Sequence, residues 1–328
     1  MSGSSKSSTD QHYVPQLLLR GFATVKRKQV YAFDKQTERV FRSSVRNLAC
    51  ERGFYDLGDG EDKSGHDQWL GQLEEQAGPV MQSIRNRRTL DHLELGERQW
   101  VAGFIAVQHV RTLRHRLVWG DVNKQMADAL REMGAEPNKV KNFRELTEEE
   151  VRENAIEDMA PLALGLVPHL LDKAWILFST PPGMSFWIGD HPVVLVNDTN
   201  PGDGIQSTIG FGVRGIEIYL PVSSALTLGC LCPTIRAMFA AGRELSIPRP
   251  PGLRRAEDFL EAFTGRTTLQ LEAENVTYHN SMQVAAAERF VFSLHDDFSM
   301  AREMLGSHPH LKSGPRIELV GRPRQKGA

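Results

Sequence analysis

The sequence predicts an α+β fold: a helical middle section packed on a mainly antiparallel sheet from the second half, plus an N-terminal hairpin. Three observations carry this. Between residues 67 and 171 apolar side chains recur at helical spacing. From residue 174 the apolar runs shorten to strand length and are separated by turn residues. Strands and helices do not alternate as a βαβ chain requires.

The elements follow in order. Residues 30–33 and 39–41 flank Asp34-Lys35-Gln36-Thr37-Glu38 and read as a β-hairpin. Trp69, Leu70, Leu73, Ala77, Val80 and Met81 mark a helix over 67–85, with Gly78-Pro79 as a kink or restart. A stronger helix is expected over 95–118 and another over 123–133. Thr147 with Glu150 three residues on has the form of a capping box and starts a further helix. That helix meets Pro161 and Pro168 in a run, 162–171, that reads as helical and broken. Strands are expected at 174–179, 186–188, 193–196, 215–222 and 225–231, with Pro181-Pro182-Gly183 as a turn within the sheet. A short helix over 257–263, a helical stretch over 282–288, a strand at 290–294 and a helix over 296–305 complete the chain. No internal repeat is visible. One domain over 10–306 is expected, between a serine-rich disordered start (1–9) and a flexible basic tail (307–328).

Composition bounds the function. The chain has 328 residues, 40% hydrophobic and 24% charged, enough to bury a substantial core. With 39 basic and 41 acidic residues the formal net charge is −2, which excludes a global basic field for nucleic acid and leaves only a local patch. Cys50, Cys230 and Cys232 make neither a disulfide framework nor a four-thiolate zinc site. Cys230 and Cys232 lie in an apolar strand-like run and are expected to be structural and buried. No secretory apolar region or run of membrane-spanning length appears, so the expected location is cytoplasmic, without membrane attachment.

Several motifs are decoys. Gly210-Phe211-Gly212-Val213-Arg214-Gly215 matches G-x-G-x-x-G, but β-branched and aromatic residues follow it where a dinucleotide site needs a helix. No nucleotide cofactor is therefore expected. Asn275-Val276-Thr277 has the form of a glycosylation sequon without a secretory context. His308-Pro309-His310 lies in the expected tail.

The stretch from Gln11 to Phe22 is more informative. Pro15 fixes its own φ and pushes Val14 towards an extended conformation, so His12 and Tyr13 sit on a stiff segment close to Arg20. His12 reads either as a packed core histidine or as a ligand or acid/base with an ordinary pKa of about 6.5. Along the expected 95–118 helix, Trp100, Phe104, Gln108, Arg111 and His115 share one face. That face is apolar except at Gln108 and Arg111. A buried unpaired guanidinium costs several kcal/mol, so Arg111 needs a carboxylate, an anion or water. It reads as a structural pair, with Glu74 as a candidate partner, or as a pocket arginine for phosphate or carboxylate. His109 and His115 are expected to be partly exposed. Asp190, between two strand-like runs and before His191-Pro192, suits a metal ligand or general base, and equally a turn. Glu74 and Glu75 point different ways on a helix, so at most one joins a site. Asn280 reads as a cap of the 282–288 helix or as a site residue.

These positions also carry a resemblance. His12-Tyr13-Val14-Pro15 and Leu19-Arg20-Gly21-Phe22 resemble the opening signatures of a bacterial family of unknown function, number 4238 in the domain-of-unknown-function series. The resemblance continues at Phe54-Tyr55, Leu73-Glu74, Gln108 with Arg111, Gly189-Asp190-His191-Pro192 and Asn280, and spans roughly residues 10–294. Gly189 stands where the family pattern implies a serine, and His191 where it implies an asparagine. The family has no established chemistry, so the resemblance implies where to look and not what happens there.

Together the residues suggest a phosphate-ester site. His12, Gln108, Arg111 and Asp190 are the catalytic candidates, and His12, Glu74 and Asp190 would be the ligands of a divalent metal. Tyr13, Arg20 and Asn280 would contact substrate. The expected function is a metal-assisted phosphodiester hydrolase, nuclease-like, acting on nucleic acid or a nucleotide-like anion. The alternative is a non-enzymatic protein that clamps an anionic ligand or partner through the same cluster. A polar network that only specifies the fold is the third reading.

Overall fold

The structure is a computed structural model and describes residues 10–24, 28–56, 65–198, 209–245 and 256–317. The chain opens with β1 (Asp10–His12) and a single helical turn, α1 (Gln16–Leu19), launched by Pro15 at φ −66°. Next come β2 (Gln29–Asp34), β3 (Arg39–Ser44) and β4 (Cys50–Arg52). The helical middle holds α2 (Gly65–Arg87), α3 (Leu95–Val110), α4 (Leu113–Glu132), α5 (Glu148–Glu157) and α6 (Met159–Leu171). The second half holds β5 (Ala174–Ser179), β6 (Ile188–Gly189), β7 (Val194–Val196), β8 (Glu217–Ser223) and β9 (Leu226–Leu231). After them lie α7 (Pro233–Leu245), α8 (Ala256–Ala262), β10 (Leu269–Gln270), α9 (Ala273–Ala286), β11 (Phe290–Ser293) and α10 (Ser299–Ser307).

The α+β class holds. Five strands run in the order β10-β5-β9-β8-β7, antiparallel except for the β10–β5 pair. Four more run β3-β2-β11-β6, all antiparallel. The β2–β3 hairpin is thus one edge of a sheet completed by strands from the second half. This carries Asp34 and Lys35 to the turn between α9 and β11. A separate ribbon pairs β1 with β4 and places His12 opposite Cys50. One core, including Phe22, Phe104, Ile176 and Leu228, joins the helices to the five-stranded sheet. A smaller one, around Phe33, Trp187 and Phe298, lies under α10.

Several elements depart from the sequence pattern. The expected 95–118 helix is two helices, because Arg111 ends α3 and Thr112 is extended at φ −84°, ψ 157°. The break lets Arg111 turn inward while Thr112 faces the Asp190–His191 turn. Helix α6 is unbroken: Pro161 lies in its first turn, where no N–H donor is needed, and Pro168 near its end. Pro79 likewise lies within α2, which stays continuous. Helix α9 begins at Ala273, so Asn280 is mid-helix and does not cap it. The capping box at Thr147 and Glu150 is present. The 210–215 glycine segment leads into β8, not into a helix. Residues 309–317, expected in a loose tail, follow α10 as a 3-10 turn and a segment tied down by Arg316; residues 1–9 and 318–328 lie outside the described residues.

Candidate functional site

Arg111 is fixed from three directions. Its Nε donates to the Tyr55 hydroxyl (3.0 Å), Nη1 to Glu74 Oε1 (2.8 Å) and Nη2 to the His12 carbonyl (2.5 Å). Burial works against its charge, but Tyr55 and Glu74 outweigh it and hold the guanidinium above its usual pKa. Gln108, one turn earlier, donates to the Tyr13 carbonyl (2.8 Å). Both side chains therefore grip the backbone of the His12-Tyr13 segment. A void of about 10 Å3, room for one water, lies against Arg111, Thr112 and Arg116. That void has no room for a ligand, and Arg111 is ion-paired with Glu74.

Asp190 anchors a second node. Its carboxylate accepts from the backbone N–H groups of Glu288 (2.6 Å), Arg289 (2.8 Å) and Phe290 (2.8 Å). Lys35, fully buried, grips the same chain reversal from the other side, donating to the carbonyls of Val284 (2.7 Å) and Ala287 (2.5 Å). Asp190 thus holds the amides after α9 and Lys35 its last carbonyls, where a cation is favoured. Burial raises Asp190 to about 6, although the three amides and Lys35 pull it down. Burial lowers Lys35 to about 8, against the pull of Asp190 and Glu288. Glu288 itself is bidentate to Arg316 (2.7 and 2.8 Å).

A third cluster joins these nodes, and the sequence reading missed it. His191 Nδ1 shares a 2.6 Å hydrogen bond with the Thr112 hydroxyl across the α3–α4 break. The His191 ring lies 5.2 Å from that of His109, which lies 6.0 Å from His115 and 4.9 Å from Phe211. His109 Nδ1 is closed off from water with no hydrogen-bond partner among the described residues. Burial lowers His109 to about 3 and His115 to about 4, with Arg114 adding to both, and lowers His191 well below its usual value.

Arg114 sits at the centre of this charge pattern. Its Nε is closed off from water and has no hydrogen-bond partner among the described residues. Burial lowers the guanidinium to about 10, with Glu288, Arg316 and Asp190 as the charges acting on it. Both carboxylates are already engaged, Glu288 by Arg316 and Asp190 by three amides. A Cβ on Gly314 would come within 3.0 Å of Arg114 Cδ, so the C-terminal segment packs directly on this side chain. The signal was visible: residues 109–116 read His-Val-Arg-Thr-Leu-Arg-His-Arg. An unbroken helix would have spread these side chains around its circumference, and the break at Thr112 gathers them.

The other predicted residues are placed elsewhere. Ring nitrogen Nε2 of His12 lies 3.1 Å from the Arg46 carbonyl, and burial lowers its pKa. Tyr13 is buried against Phe54, and burial, with Asp190 nearby, raises its pKa. Arg20 is exposed at the end of α1, with Nη2 on Gln16 Oε1 (3.3 Å). Asn280 accepts from Trp187 N (2.8 Å) and donates to the Ser185 carbonyl (2.9 Å), binding α9 to the chain entering β6. The proposed metal ligands are each engaged by a separate partner: His12 by the Arg46 carbonyl, Glu74 by Arg111 and Asp190 by three backbone amides. Among the described residues no group of three or more His, Cys, Asp or Glu side chains is arranged to hold a metal ion. No described helix is long and apolar enough to cross a membrane.

Fold and site together define an α+β protein with a half-buried imidazole–guanidinium cluster, His191 buried and His109, Arg114 and His115 partly exposed, where a helix break meets an aspartate turn. The chain belongs to the family described as protein of unknown function (DUF4238), whose model matches residues 10–297. No curated protein and no solved structure matches it.

Proposed function

We propose that this protein binds an anionic ligand, a phosphate-bearing or nucleotide-like molecule, at the α3–α4 break. The observation that carries the reading is Arg114, a half-buried arginine whose Nε is closed off from water without a partner among the described residues and whose neighbouring carboxylates are engaged elsewhere. An uncompensated buried charge is costly, and an incoming anion would offset that cost. The neutral imidazoles of His109, His115 and His191 would supply adaptable donors and acceptors around it. Here the clamp uses Arg114, while Arg111 organises the segment behind it.

Phosphodiester hydrolysis at the same place is the second reading, and one observation favours it. Burial raises Asp190 to about 6, within electrostatic reach of Arg114, which suits proton exchange close to neutral pH. The fit of the side chains supports no step through a metal.

Thermal melting in chelator tests both. Phosphate or pyrophosphate should raise the melting temperature without added metal, because a ligand that binds only the folded state stabilises it by mass action. Arg114→Met should lose the response and keep the fold. No anion response, with stabilisation by manganese instead, would overturn the anion reading in favour of a metal site. Turnover of a generic phosphodiester by the wild type, lost in Arg114→Met, would establish the second reading.

A further inference from the structure

A cavity of about 340 Å3 opens between α4, the 142–146 loop, α5 and the start of α6, meeting the anion site where Trp119 bonds His115. Its volume falls at the lower end of the range for small-molecule pockets. Val122, Leu146, Val151 and Leu162 give it apolar walls, with Trp119 and Met126 at the rim, 48% and 43% exposed. Trp119 is held in place, its Nε1 donating to His115 Nε2 at 2.9 Å.

The loop forming one wall is pinned. Asn123 donates to the Arg144 carbonyl (3.0 Å) and accepts from Leu146 N (2.9 Å). Asn142 turns the chain at φ 64°, and the capping box at Thr147 locks its far end. Polar side chains thus hold open a cleft whose apolar walls would otherwise gain by closing.

Charge selects the occupant. Arg144 and Asp158 are the charged residues in the lining. Arg144 is paired with Glu150, whereas Asp158 is exposed and its carboxylate has no partner among the described residues. On helix α5 Glu148 shares the cavity-facing side with Val151 and Ala155, while the single arginine, Arg152, is turned to the carbonyls of Gly53 and Asp56. The unpaired charge in the lining is therefore the Asp158 carboxylate, and the same lining holds the Trp119 and Phe143 rings, a combination that favours cations.

We infer that this cavity binds a small organic cation, an amine whose ring fills the apolar cleft and whose ammonium meets Asp158. The test is calorimetric titration of the full chain with 1-naphthylmethylamine, its neutral isostere 1-naphthylmethanol and the anion 1-naphthoate. The amine should bind about tenfold more tightly than the alcohol, and the anion most weakly. Asp158→Asn, at an exposed position, should bring the amine down to the alcohol's affinity and leave the alcohol unchanged. Met126→Trp, filling the rim, should weaken both. Equal affinity of amine and alcohol, an unchanged amine affinity in Asp158→Asn, or no binding of any probe would overturn the inference.

Discussion

Arg111 and Arg114 stand three residues apart and meet opposite fates. Arg111 has a carboxylate, a phenol and a carbonyl, so its charge is absorbed by the fold. Replacing it with methionine leaves Glu74 and the His12 carbonyl without their donor, at a cost of about 3 kcal/mol. A urea-denaturation cycle of Arg111→Met with Glu74→Gln should show coupling above the ~0.5 kcal/mol of independent sites, and strict additivity would refute the pairing. Arg114 has no such support, so Arg114→Met should unfold no sooner than the wild type. At this scale the sequence was half legible. A guanidinium on an apolar helix face announces that it needs a partner, and Glu74 was a nameable one. Nothing in the sequence distinguishes an aspartate that accepts three backbone amides from one that accepts a substrate proton, because both stand in a turn before proline.

At the level of elements, the β2–β3 hairpin, strands β5, β7, β8 and β9 and the Thr147 cap could be read directly, since alternation and capping are local signals, whereas the two-residue strand β10 could not. The α3–α4 break could not. Thr112 is compatible with a helix, and only the pull of Tyr55 and Glu74 on one side and His191 on the other makes the extended conformation pay. Helix α9 was shortened in the reading for a related reason. It buries His279 among the rings of Phe178, Phe186 and Tyr219, and it buries Asn280 and Gln283, which interrupt an apolar stripe but bind the backbone around β6 and the Gly189–Pro192 turn. Lys35 escaped notice because a lysine in a predicted turn ordinarily faces water, whereas here the turn packs onto the end of α9.

Across the whole molecule, burial of imidazoles sets the response to acid. His109, His115 and His279 are lowered to about 3, 4 and 4 from an ordinary value of 6.5. Between those limits the unfolded chain binds protons that the folded chain does not, so their contribution is present above pH 6.5 and lost as the pH falls towards 4. Asp190 acts in the opposite sense: raised to about 6, it takes up its proton in the folded state first, so acidification through 6 favours folding. Glu217, also raised by burial, acts with Asp190, and the three histidines, with His191 and His12 adding to them, outweigh these two carboxyls. The urea midpoint should therefore fall between pH 6.5 and 4.5, and a flat or rising midpoint would contradict the burial of this cluster. The anion site itself is examined most closely by nuclear magnetic resonance of nitrogen-15-labelled histidine at pH 6.5. His109, His115 and His191 should be neutral in the free protein, and phosphate should move their resonances in the wild type but not in Arg114→Met. If phosphate leaves these three rings unchanged, or moves them equally without Arg114, the helix break is scaffold and no anion binds there.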